Sequence, residues 1–192
     1  MIGLSTPAGV VATDRDGLAI ARLVARKNRF PSLKDRVRER FGIELPQGPR
    51  RVAGTQIAFV GVGVETWLAA SETELDGFAA SLRSAVNESA SVSDQIGSYI
   101  IVRLSGARVR DALAKFVPLD LHARVFATGS AASTIVDHIP LTLWRLEDSP
   151  DGLPVFELAA PRSYAGSFWH TLAESAAEFG FSRSTPAPLS PG

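Results

Sequence analysis

One order of elements runs through this chain twice, and that repetition constrains the fold more than composition does. If residues 18–26 form a strand, the order strand–helix–strand–strand–helix reads across residues 18–87 and again across 99–179, with one added strand in the second copy. Duplicated split β-α-β units of this kind imply an α+β fold, with mostly antiparallel sheets and helices packed on them. The two copies show no repeat at the level of residues, so the duplication is a matter of element order.

In the first copy, Leu18, Ile20, Arg22, Val24 and Arg26 alternate with Ala19, Ala21, Leu23 and Ala25, but Ile20, Leu23 and Val24 also fit a helical stripe. Periodicity leaves strand and helix both open there. Ser32, with Asp35 three residues on, reads as the cap of a helix carrying Leu33, Val37 and Phe41 and ending at Gly42. Strands are expected over 55–62 and 66–70. Ser71 or Thr73 then caps a helix with Leu75, Phe78, Ala79, Leu82 and Val86 on one face. Residues 89–93 read as a polar linker.

The second copy opens with a β-branched strand over 99–104. Ser105 is expected to cap a helix bearing Val109, Ala112, Leu113 and Phe116, which Pro118 stops. Strands over 131–137 and 141–146 are separated at Pro140, and a last strand covers 155–159. Ser163 reads as the cap of a final helix whose apolar face is Tyr164, Phe168, Trp169, Leu172, Ala173 and Ala176, ended by Gly180. Residues 1–14 are expected to be a flexible arm. Residues 15–181 form one domain with pseudo-halves 15–90 and 91–181. Residues 182–192, SRSTPAPLSPG, read as a disordered Ser/Pro tail.

The chemical inventory is sparse. The chain has no cysteine, which removes disulfides, thiolate metal sites, iron–sulfur clusters and Cys nucleophiles together. His122, His138 and His170 are the only histidines, with no paired spacing. Asp120 and His122 would share one face of a strand. Gly129-Ser130-Ala131 is not a nucleophile elbow. Gly61-Val62-Gly63 begins a glycine-rich turn, but Thr66 stands where a dinucleotide fingerprint needs glycine. No phosphate-binding loop is present. The residues alone therefore assign no catalytic, cofactor-binding or metal site and favour a binding or structural role. Arg103 and Arg145 lie on expected strands, as outward charges or as buried partners of a carboxylate.

Net charge is zero, but residues 1–51 carry 11 Lys/Arg against 5 Asp/Glu, and the rest of the chain carries the compensating acid. Such asymmetry marks a solvated basic helix or a partner interface. Arg22, Arg26, Arg29, Arg36, Arg38 and Arg40 are the candidate interface residues. Phe30 and Phe41 are the only aromatics in the basic stretch, and no nucleic-acid-binding motif accompanies it, so no nucleic-acid partner is expected. No apolar run approaches the roughly 20 residues that span a bilayer. Met1 to Val11 has no Lys or Arg before its apolar stretch and does not read as a secretory signal. The expected setting is cytoplasmic, with no membrane partner.

Three stretches then carry a resemblance: RLSGARVRDALAKFVPLDLHARVF (103–126), GSAASTIVDHIPLTLW (129–144) and PRSYAGSFWHTLAESAAEFG (161–180). Within them stand Leu119-Asp120-Leu121 after a helix, Val125-Phe126 before Gly129, Thr134 with Ile139-Pro140, and Arg162-Ser163-Tyr164 with Phe168-Trp169. Asp94-Gln95 and, more loosely, Val64-Glu65-Thr66-Trp67-Leu68 extend the likeness to roughly residues 15–180. In these features the chain resembles the gamma-subunit family of heterotetrameric sarcosine oxidases.

The resemblance implies the folate-binding fold of the glycine-cleavage aminomethyltransferases, in which the first strands of two halves are exchanged, without their further C-terminal barrel domain. It implies alpha, beta and delta subunits as partners, with FAD, FMN, NAD, zinc and tetrahydrofolate held by those other chains and no cofactor in this one. The implied complex oxidises the N-methyl group of sarcosine, giving glycine, hydrogen peroxide and a folate-linked one-carbon unit. The gamma subunit is implied to be a non-catalytic structural member. Aminomethyltransferases use an acidic residue near the position of Asp137, but Val136-Asp137-His138-Ile139 does not reproduce their motif, so that role is not carried over. Two alternatives stand beside this reading. One is a standalone folate-binding or one-carbon-transfer protein, which would need a concave pocket with convergent polar groups. The other is an orphan homo-oligomeric interaction module.

Overall fold

The alternation of residues 18–26 resolves as a strand, because two different layers bury its two faces. The computed structural model describes residues 8–73 and 76–184. In the first half the elements are β1 (Val10–Asp14), β2 (Ala19–Ala25), α1 (Phe30–Phe41), β3 (Arg51–Ala53), β4 (Ala58–Gly63), β5 (Thr66–Ser71) and α2 (Phe78–Val86). The second half runs β6 (Ala90–Asp94), β7 (Tyr99–Ser105), α3 (Val109–Ala114), β8 (Ala131–Val136), β9 (Ile139–Arg145), β10 (Val155–Pro161), α4 (Ala165–Ala176) and β11 (Phe181–Ser184).

Two sheets result. One has the order β3-β4-β5-β2-β6 and the other β11-β1-β7-β10-β9-β8. Every pairing is antiparallel except β1 with β11. Without β11, the second sheet reads β1-β7-β10-β9-β8 against β6-β2-β5-β4-β3, element for element. The first strand of each half therefore lies in the sheet of the other half. The duplication and the strand exchange are both present, and β3 supplies the strand that the first copy seemed to lack.

Successive residues of a strand point to opposite faces. On β2, Ala19, Ala21 and Leu23 pack with Leu33 and Val37 of α1 and Leu82 and Val86 of α2. On β7 and β10, Val102, Leu104, Phe156 and Leu158 pack with Val109 and Leu113 of α3 and Phe168 and Leu172 of α4. The intervening residues meet between the sheets: Ile20, Val60 and Leu68 from one side, Ile101, Ala131, Trp144 and Ala159 from the other. The layers are thus helix, sheet, sheet, helix.

Several local expectations are corrected. Val10–Asp14 is not a flexible arm but a strand between β7 and β11, with Val10 and Ala12 fully buried. Residues 182–184 of the expected tail belong to β11, while residues 1–7 and 185–192 lie outside the described residues. The linker over 89–93 is largely β6, where Ala90 and Val92 face inward and Ser91 and Ser93 outward. Among the described residues, none of the helices α1 to α4 has a side-chain cap hydrogen bond. α1 starts ahead of Ser32, at Phe30, because Pro31 in its first turn lacks the N–H that would need a partner. Ser71 instead donates to the Gln56 carbonyl, α3 follows Arg108, and α4 follows a 3-10 turn over Arg162–Tyr164. Leu75 of the expected α2 stripe lies outside the described residues. The β8–β9 turn is not at Pro140 but at Asp137-His138, whose φ values of 45° and 68° suit a two-residue hairpin. Asp120 and His122 lie in a loop rather than on a strand; Asp120 Oδ1 accepts the His122 backbone N–H at 2.9 Å.

Candidate functional site

β10 places one carboxylate between the two sheets. Glu157 alternates with Phe156 and Leu158, which face the helices, so its side chain enters the opposite layer and is almost wholly buried. Burying a lone carboxylate is costly, and this one is not alone. Arg103 donates to Oε1 from Nε at 3.0 Å and from Nη2 at 2.7 Å. Arg15 Nε donates to the same oxygen at 3.2 Å, and Trp144 Nε1 donates to Oε2 at 2.8 Å. Glu72 closes the cluster from the first half, paired with Arg15 and 3.8 Å from Arg103 Nη2.

Arg51 of β3 completes this charge cluster. Burial pushes its guanidinium below the usual arginine range; Glu157 and Glu72 oppose that shift, while Arg103 and Arg15 reinforce it. A cleft of about 310 Å³ opens here, lined by Arg51, Glu72, Trp144 and Glu157 with Thr55 and Gln56. Arg103 is the buried carboxylate partner that its strand position allowed. Arg145 is also buried and pairs with exposed Asp148, beside the Phe156 ring on the helix side. The cluster as a whole escaped sequence reasoning. Its one visible signal is a glutamate inside the apolar run Val155-Phe156-Glu157-Leu158-Ala159.

A second, larger cleft of about 530 Å³ lies beside the β4–β5 hairpin. Trp67 Nε1 donates to the Pro46 carbonyl at 2.8 Å, and the Phe30 ring stacks on Trp67 with centroids 5.8 Å apart. Gly61 lets the 46–49 loop close onto β4, since a Cβ there would sit 2.0 Å from the Gly48 carbonyl oxygen. Gly61, which failed as part of a dinucleotide motif, thus serves a close backbone approach.

The six candidate interface arginines are all exposed, but they do not form one patch. Arg22 lies on the face of β2 that carries Ile20, away from the helices. Arg26 and Arg29 belong to the β2–α1 connection, and Arg36, Arg38 and Arg40 are on α1 across the sheet from Arg22. Arg38 is engaged by Glu44 and, at 3.5 Å, by Asp35. That hydrogen bond and charge hold the Arg38 guanidinium above its ordinary range and the Glu44 carboxyl below its own. Arg22, Arg26, Arg29 and Arg36 form no ion pair among the described residues. His122, His138 and His170 are exposed and join no group of metal-ligating side chains among the described residues; His170 Nε2 lies 3.4 Å from Glu174. No described helix is long and apolar enough to cross a membrane.

Comparison with known proteins places this architecture. A glycine cleavage system aminomethyltransferase T from Bartonella henselae superposes with a TM-score of 0.67 at 12% identity, covering 91% of this chain and 48% of that one. A chain of the heterotetrameric sarcosine oxidase from Corynebacterium sp. U-96, in complex with pyrrole 2-carboxylate, gives a TM-score of 0.73 at 24% identity over 88% of this chain and 85% of that one. At those identities the likeness shows the fold, the aminomethyltransferase-type α+β arrangement. Sarcosine oxidase subunit gamma from Corynebacterium sp. (strain P-1) is 31% identical over 109 residues, 56% of this chain. The match spans about half of that relative's length, 54%. The profile of the sarcosine oxidase gamma subunit family matches residues 27–178, taking in β3 to β10, the helices α1 to α4 and the Glu157 cluster except Arg15. On that match, across most of its length, the chain belongs to the sarcosine oxidase gamma subunit family.

Proposed function

We propose that this chain is a non-catalytic structural subunit of a sarcosine-oxidase-like heterotetramer. The observation that carries the reading is the engagement of Glu157 by partners within the fold. The two oxygens of this carboxylate, the one buried between the sheets, already accept from Arg15, Arg103 and Trp144. Three of these donations fall on Oε1 and Trp144 takes one site of Oε2, so the carboxylate is committed to structural ion pairs that join the two halves of the fold. The adjoining cleft, at about 310 Å³, is at the small end of ligand pockets, roughly 300–1,000 Å³, which argues against a ligand as large as tetrahydrofolate there.

The reaction then belongs to the assembled complex: oxidation of the N-methyl group of sarcosine to give glycine, hydrogen peroxide and a folate-linked one-carbon unit. Its FAD, FMN, NAD, zinc and tetrahydrofolate are carried by alpha, beta and delta subunits in the cytoplasm. Residues 15–181, extended at each end by β1 and β11, serve as one folding unit that presents surfaces to those partners. The exposed arginines without internal partners, Arg22, Arg26, Arg29 and Arg36, supply charge for encounter.

The test is expression of a tagged chain in its native host. Co-purification with flavin-bearing chains that turn over sarcosine is the expected result. A chain that elutes alone and binds tetrahydrofolate in equimolar amount would overturn it and favour the standalone folate-binding reading.

A further inference from the structure

We propose that the cleft beside the β4–β5 hairpin docks an extended, acidic-flanked segment of a partner polypeptide. This rests on the reading of the chain as a subunit of a larger assembly, and names how it grips its neighbour.

The cleft is apolar and already shaped. Its walls are Phe30, Pro46, Pro49, Val62, Val64 and Trp67, held by the Trp67–Pro46 hydrogen bond, the Phe30–Trp67 stack and the Gly61–Gly48 approach. A preformed groove needs little ordering on binding. Val64 at the hairpin tip is 93% exposed. Across the cleft, Ser133 of β8 lines the wall, and Ile135, two residues on along the same face, is 66% exposed. Clustered exposed apolar side chains mark an interaction site rather than ordinary surface.

β8 gives the occupant its extended form. β8 is the outermost strand of its sheet, paired only with β9. The Arg50–Ser130 bridge and the Ala131 N–H to Pro49 carbonyl bond cover its start. From Ala132 onward, its outward edge pairs with no strand among the described residues. A segment added along this edge would place alternate side chains in the cleft, as in strand addition.

Charge selects the occupant's flanks. Arg29 precedes the wall residue Phe30, Arg50 follows Pro49, and Lys34 stands 5.8 Å over the Phe30 ring. Arg26 is tied to the rim because the Ala25 N–H donates to the Glu65 carbonyl at 3.0 Å. Arg26, Arg29 and Arg50 are exposed and form no ion pair among the described residues, and Glu65 is the one acidic residue in the lining. A rim of four cations against one carboxylate favours a segment carrying Asp or Glu beside its apolar anchor.

The experiment uses the chain co-expressed with the alpha, beta and delta subunits. Val64→Asp should weaken assembly by more than about tenfold, the effect of losing a central apolar anchor. Arg26→Glu/Arg29→Glu should slow association and flatten its salt dependence. Arg124→Glu, at an exposed position outside the cleft lining, should change neither. A photo-crosslinking residue at position 64 should label one extended segment of a larger subunit with Asp or Glu close by in sequence. Crosslinking to a second copy of this chain, or wild-type affinity in Val64→Asp, overturns the docking site while leaving the subunit reading intact. Failure of the wild-type chain to assemble overturns both.

Discussion

Trp144 and Glu157 are cross-strand partners on β9 and β10, and the indole N–H of the first donates to the carboxylate of the second at 2.8 Å. The pair sits where the two sheets meet, with Arg15 and Arg103 completing the carboxylate's shell. Removing one partner of such a group leaves a buried polar atom unsatisfied. Glu157→Gln should therefore cost about 3–5 kcal/mol by breaking the buried ion pairs. Trp144→Phe, which keeps most of the volume, should cost about 1–3 kcal/mol. Urea unfolding checks both. Losses below about 1 kcal/mol in both would show that the cluster does not hold the sheets together.

The last helix should be sensitive at Phe168 rather than at Trp169. Phe168 is 2% exposed and packs with Leu172 under the second sheet, whereas Trp169 is only half-buried, beneath the Arg183 guanidinium at 3.7 Å. Phe168→Ala should cost about 3–5 kcal/mol. Trp169→Ala should cost less, and His170→Ala, on the exposed side, close to nothing. Thermal melts of the three variants give the order. A turnover loss in the assembled complex from Trp169→Ala, without a lower Tm, would assign that ring to a functional surface.

On α1, charge reversal should act through encounter. Arg36→Glu removes a cation with no internal partner, whereas Arg38→Glu also breaks the pairs with Glu44 and Asp35. Arg36→Glu and Arg40→Glu should lower the association rate with the larger subunits at low salt, with little change in dissociation. Stopped-flow association across a salt series checks this. Rates equal to wild type at every salt concentration would remove α1 from the interface.

The Arg38–Glu44 pair gives a sign for acid behaviour. Donation from Arg38 holds the folded Glu44 carboxyl below its ordinary range, so the unfolded chain binds that proton more readily. The pair's contribution is present above the ordinary carboxylate range and is lost as pH falls through the depressed folded value. Because both groups are exposed, the effect is small. Glu44→Gln should slightly flatten the acid limb of a stability–pH curve and leave the neutral region unchanged.

The purified chain, free of partners, should be colourless. It has no cysteine for a covalent flavin link and no dinucleotide-binding turn. A flavin absorption band that survives gel filtration would contradict the structural role.

Much of this architecture was legible because apolar spacing and layer burial point the same way. The β2 alternation, the α1 stripe of Leu33 and Val37, and the order of elements in each half all reappear in three dimensions. What escaped was set by long-range pairing. Val10–Asp14 carries little local signal and becomes a strand only because β7 lies beside it, 90 residues away in sequence (Ala12 opposite Leu104). Ala90–Asp94 reads as linker because alternating serines hide the inward Ala90 and Val92. Serines chosen as helix caps failed where Pro31, Gly77 and a 3-10 turn start the helices instead. At the site, the basic bias located arginines but not their faces, since a sheet separates Arg22 from Arg36. The Glu157 cluster draws its members from β3, β7, β9, β10 and the loops after β1 and β5, a convergence that no local pattern announces.

The exchanged strands have a consequence in time as well as in space. On the ribosome, Val10–Asp14 emerges long before its neighbours Tyr99–Ser105 and Phe181–Ser184. At roughly 5–20 residues per second, the first wait is on the order of 5–20 seconds and the second longer still. Until then Val10 and Ala12 lack the neighbours that bury them. The sheet that it enters is completed only once Phe181–Ser184 has been made, and through that interval the strand stays open to capture by a chaperone.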